Sequence, residues 1–79
     1  MAQKGRNLSD MYAGQQATLK TIQGSEALCD RLTALGFLEG TRVCCLGAGP
    51  FGDPVAYEVR HTVIALRRAD SIGIEVSVS

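Results

Sequence analysis

The apolar positions of the chain change period twice, and each change marks a new kind of element. After an Ala13-Gly14 turn, Ala17 to Ile22 mixes β-branched and apolar residues in a short run closed by Gly24, which predicts a first strand. Ser25 then offers a side-chain oxygen for an N-cap, with Glu26 at the positive end of the helix dipole. Leu28, Leu32 and Leu35 follow at spacings of four and three, the stripe of a helix expected to be buried along its length, and Gly36 supplies the stop. From Thr41 onward the period falls to two. Val43 and Cys45 share one face of a strand, with Arg42 and Cys44 on the other. Val55, Tyr57 and Val59 alternate with polar or small neighbours, as do Ile64 and Leu66, and then Ile72, Ile74, Val76 and Val78.

Each strand therefore has one core face. Short links at residues 49–54 and at His61-Thr62 make neighbouring strands antiparallel hairpins, and so short a meander closes most economically into a small barrel. The expected fold is mainly β: a small five-stranded antiparallel barrel with one helix between its first and second strands. Residues 1–7 are polar and aperiodic and are expected to form a disordered lead-in, leaving residues 8–79 as a single domain.

Composition narrows the function. At 79 residues the core must be small, and with 46% hydrophobic residues but two Phe, two Tyr and no Trp it must be mostly aliphatic. Eight basic residues balance eight acidic ones. With no net charge and few aromatics the chain lacks the basic, stacking face of a nucleic-acid binder. No apolar run approaches the roughly 20 residues of a membrane helix, and the first ten residues lack the apolar centre of a signal peptide, so a cytoplasmic protein without direct membrane insertion is expected. Three cysteines, two of them adjacent, fit free thiols in a reducing compartment better than a disulfide framework. One histidine, scattered acids and no glycine-rich phosphate loop give no catalytic constellation, so an enzyme is not expected.

Three separated pieces of the chain then become recognisable together: Arg31-Leu32-Thr33-Ala34-Leu35-Gly36-Phe37-Leu38-Glu39-Gly40-Thr41, Pro50-Phe51-Gly52-Asp53-Pro54-Val55 and Ala65-Leu66-Arg67-Arg68. In order and spacing they resemble the ferrous iron transport protein A family, over nearly everything from Leu8 to Val78. The resemblance implies an SH3-like barrel. It also implies a partner, because in bacteria members of this family accompany a large membrane protein with a cytoplasmic GTPase domain that imports ferrous iron. An alternative role implied by the same barrel is an iron-responsive interaction module resembling the C-terminal SH3-like domain of iron-dependent repressors. Two positions depart from the family. His61 stands where glycine is usual in the turn between the third and fourth strands, which predicts a different turn type or one more residue there. Cys44 and Cys45 replace ordinary strand residues, so no family role carries over to them.

A barrel without catalytic residues acts by contact, and the candidate contacts are apolar and guanidinium groups on stiff segments. Arg31 lies beside the leucine stripe and can reach a carboxylate or a partner. Phe37 and Leu38 sit between Gly36 and Gly40 and become interface anchors if left exposed. Pro50, Phe51 and Asp53 belong to a proline-bounded loop that loses little entropy on docking. Arg67 and Arg68 fall on opposite faces of a strand in this reading, with Arg67 the candidate contact. For metal, Cys44 and His61 are the weak candidates for Fe2+ or Zn2+; there is no pre-spaced ligand set, no resident cofactor is expected, and nothing in the pattern sets an oligomeric state.

Overall fold

The computed structural model describes residues 6–78. Six strands form one antiparallel sheet: β1 (Arg6–Asn7), β2 (Gln16–Ile22), β3 (Arg42–Ala48), β4 (Val55–Val59), β5 (Thr62–Leu66) and β6 (Ile74–Val78), in the spatial order β1-β6-β2-β3-β4-β5. Helix α1 (Glu26–Ala34) bridges β2 and β3, as the change of period predicts. The five expected strands are present, and the structure adds three elements to them. Arg6 and Asn7 pair with Val76 and Glu75, so the sheet begins two residues before the expected boundary; residues 1–5 of the expected lead-in lie outside the described residues. Leu8–Asp10 makes a single 3-10 turn, and a one-turn helix α2 (Arg68–Ser71) precedes β6. Arg67 and Arg68 are thus the cap and first residue of α2, and Ile72 caps its far end, exposed, instead of starting a strand.

Two bulges bend the sheet. Lys20 is the extra residue opposite Val76 and Glu75, and Leu46 the extra residue opposite Tyr57 and Ala56; Gly47 follows Leu46 at φ 115°, a conformation that favours glycine. The curved sheet encloses a core in which Leu8, Leu19, Leu32, Phe37, Val43, Tyr57, Val59 and Ile74 are buried. Its two ends meet through side chains, not through a ladder. The Tyr57 hydroxyl of β4 donates to the Leu8 carbonyl at 3.2 Å, and the 3-10 turn packs on β6 and α2.

Helix α1 starts where Ser25 Oγ accepts the Leu28 N–H at 3.1 Å. It ends in a Schellman turn. The Gly36 N–H donates to the Thr33 carbonyl, the Phe37 N–H reaches back to the Leu32 carbonyl at 2.9 Å, and Gly36 takes φ 103°. This turn explains why the expected leucine stripe is shorter than its sequence spacing: Leu32 is fully buried, Leu28 half-buried, and Leu35, now the cap, is exposed. Phe37 takes the core position that spacing assigns to Leu35.

Between β4 and β5 the turn has two residues, and both carry positive φ, 52° at Arg60 and 68° at His61. That is the sign pattern of a type I′ hairpin, so the turn keeps the tight form that His61 was expected to prevent. The sheet twist outweighs the local preference of two side chains for negative φ.

Candidate functional site

The strongest concentration of unusual side chains lies at one end of the barrel, where three segments distant in sequence converge. The β3–β4 loop is folded on itself by the Gly52 N–H donating to the Gly49 carbonyl at 2.9 Å. Its Asp53 carboxylate accepts the backbone N–H of Arg68 at 2.8 Å, capping α2 from fifteen residues away in the chain. The Arg68 guanidinium completes the clasp: Nε donates to the Gly52 carbonyl at 2.9 Å and an Nη donates to the Ser9 carbonyl at 3.0 Å. Rigid in consequence, the loop holds Phe51 93% exposed at its tip. An aromatic ring so placed forms no part of the core.

Beside this loop the chain from Met11 to Ala13 crosses the base of β3 and leaves a recess lined by Tyr12, Gly47, Ala48, Val55 and Arg68. The Gly14 N–H and the Gln15 carbonyl both bond to Cys45 of β3, fixing that crossing. Tyr12 is 67% exposed. The end of the barrel therefore presents two exposed aromatic residues, Phe51 and Tyr12, with Pro50 on the loop and Arg67 at the start of α2.

Of the candidate contacts, Pro50, Phe51, Asp53 and Arg67 belong to this end. Asp53 works inward, as a cap. Arg31 is exposed on α1 and lines a different recess, with Ser25, Leu28 and Asp70. Leu38, 44% exposed, follows the Schellman turn. Phe37 is a correction. At 1% exposure it is a core residue, because the Schellman geometry turns the residue after the glycine back onto Leu32. Sequence reasoning missed Tyr12 and gave Arg68 no clasp. The signal for Tyr12 was an aromatic ahead of the Ala13-Gly14 turn, and for Arg68 its position two residues after the last buried residue of β5, Leu66.

Cys44 and His61 do face a common recess on the outer side of the sheet, with Gln16, Arg42, Glu58 and Arg60. Cys44 and Glu58 are cross-strand partners. Among the described residues no group of three or more His, Cys, Asp or Glu side chains is placed to hold a metal ion. Two guanidiniums in the same recess also oppose a divalent cation, so these residues do not fit one. Cys45 is buried in the core and points away from Cys44. Burial pushes the Tyr57 phenol above its ordinary 10.0, against a smaller lowering from the neighbouring Ser71 hydroxyl.

A short antiparallel sheet, bent by bulges and shut by side-chain bonds at its ends, defines a small β-barrel of the SH3 type. The chain belongs to the FeoA domain family, whose pattern matches residues 6–78. It is 31% identical over 71 residues to the Fe(2+) transport protein A/Fe(2+) transporter FeoB fusion protein of Porphyromonas gingivalis, a match covering 90% of the chain but only 8% of that much longer relative. Among solved structures it is similar to FeoA of Chlorobium tepidum, at 29% identity and a TM-score of 0.88, over 91% of this chain and 69% of the other. It is similar also to Stenotrophomonas maltophilia FeoA, described as a prokaryotic SH3 domain protein and solved with zinc, at 30% identity and a TM-score of 0.76, over 92% and 88% of the two chains. A manganese-dependent transcriptional repressor matches all of this chain and 44% of its own at a TM-score of 0.86 but 15% identity, a likeness of fold alone. The family links the chain to ferrous iron transport. No helix among the described residues is long and apolar enough to cross a membrane.

Proposed function

We propose that the chain is a non-enzymatic accessory subunit of bacterial ferrous iron uptake, which binds the cytoplasmic part of the membrane GTPase transporter and is held at the inner membrane through that partner. The observation that carries this reading is the fusion protein of Porphyromonas gingivalis, which joins a transport protein A to the transporter FeoB in one chain. Fusion of two modules raises the effective concentration of an encounter that separate chains must make by affinity. The barrel end supports the reading with its own chemistry: an exposed aromatic on a loop that Arg68 and Asp53 have already ordered. Iron in this scheme is the transporter's cargo.

Phe51 is the anchor to test. Phe51→Ala removes a ring that touches almost nothing in the free protein, so its unfolding free energy should change by no more than about 0.5 kcal/mol, the range of surface changes. Binding to the purified GTPase domain of the transporter, measured by calorimetry, should weaken by about 1–3 kcal/mol. A folded wild-type chain that gives no heat with that domain would sink the proposal; undiminished affinity of the variant would remove the loop from the interface.

A further inference from the structure

The two edges of the sheet are built differently. β1 is two residues long and begins with Arg6, a short and charged edge of the kind that resists further pairing. β5 is five residues, Thr62-Val63-Ile64-Ala65-Leu66, without charge, proline or bulge. It occupies the other edge of the sheet, and β4 is the one element running alongside it among the described residues.

Register fixes which backbone groups it offers. In a two-residue hairpin the closing pair, Val59 and Thr62, exchanges both hydrogen bonds, and bonded and non-bonded pairs then alternate. Tyr57–Ile64 and Val55–Leu66 are therefore bonded pairs, and the N–H and C=O groups of Val63 and Ala65 point away from β4. The side chains of both residues are exposed, Val63 at 61%. No strand among the described residues fills this side, so an incoming strand would meet open groups two residues in pitch, with a valine on its outer face.

Charge selects the occupant. Arg60 stands exposed before β5 and Arg67 and Arg68 stand exposed after it, so both ends are cationic; the nearby carboxylates are Glu58, opposite Val63 on β4, and Asp53, which accepts the Arg68 N–H. A second copy pairing antiparallel in the bonded register, Val63 to Ala65, would bring Arg60 of each chain to the end of the ladder where Arg67 and Arg68 of the other stand. Like charges would meet at both ends. A segment with acidic residues on either side of an extended core meets none of that repulsion.

We propose that β5 is a strand-addition site for an extended peptide segment flanked by acidic residues, held by the Val63 and Ala65 backbone and steered by Arg60 and Arg67. The site does not depend on Phe51 or on the identity of the transporter.

The test uses two synthetic peptides with a Val-Thr-Val-Thr-Val centre, one flanked by two glutamates at each end and one by two lysines, titrated into the isotope-labelled protein. The glutamate peptide should slow hydrogen exchange at the Val63 and Ala65 amides by about tenfold or more and bind about tenfold tighter than the lysine peptide. Val63→Pro removes an outward N–H without touching a bond to β4 and should abolish the effect. Should that variant fail to fold, the double variant Arg60→Glu with Arg67→Glu, which leaves the ladder intact, should reverse the preference between the peptides. Equal binding of the two peptides, saturation that leaves both amides unchanged, or no binding at millimolar peptide would overturn the proposal. So would protection of the same amides that rises with protein concentration alone, which would make the occupant a second copy.

Discussion

Tyr57 shows how one side chain can join two parts of the molecule and set a pH limit for it. Its ring fills the core from β4 while its hydroxyl donates to the Leu8 carbonyl, and burial raises its pKa above 10.0. The core accepts the neutral phenol and excludes the phenolate. Its contribution to stability is thus complete below the unfolded value and is lost as pH rises through the higher folded one. Melting temperature followed into alkali should fall steeply in wild type and less steeply in Tyr57→Phe, which at neutral pH should be less stable by about 1 kcal/mol for the missing hydrogen bond. Parallel alkaline curves would show that other groups set the limit. The burial of Tyr57 was legible from its place between Val55 and Val59, whereas its hydroxyl partner was not, because Leu8 lies 49 residues away. Asp53 was likewise legible as a loop residue but not as the cap of a helix that begins at Arg68.

Helix α1 carries its packing on few residues. Leu32→Ala should cost about 2–5 kcal/mol, because the leucine is enclosed and its cavity cannot fill. Leu35→Ala should cost no more than about 0.5 kcal/mol, since that side chain is exposed at the cap. Chemical denaturation of the two variants checks the contrast, and equal losses would mean that the stripe is buried along its full length. Periodicity alone placed both leucines on the core face. The missing ingredient was the meaning of Gly36-Phe37: a glycine at the helix end followed by a large apolar residue is the sequence mark of a Schellman turn, and that turn exchanges Leu35 for Phe37 in the core. For α2 the period of two continued through Ile72 and hid a helix of a single turn, whose first N–H is satisfied only from a distant loop.

For the molecule as a whole, the clasp at Arg68 and the order of the strands matter most. One guanidinium ties the β3–β4 loop to the chain before β2, and lysine has no planar fork with which to reach both carbonyls. Arg68→Ala and Arg68→Lys should each lower stability by about 1–2 kcal/mol and speed hydrogen exchange at the Gly52 amide; unchanged exchange in either variant would show that the loop orders itself. The position of β6 has a different consequence. This strand, Ile74–Val78, runs inside the sheet between β1 and β2 although it follows the other five in the chain. During synthesis the first two strands have no neighbour on that side, and their apolar residues, Leu19 among them, stay uncovered until residues 74–78 have cleared the ribosome. The barrel is therefore assembled after translation of its final strand, and a nascent chain arrested before Ile74 should be open to protease along its whole length.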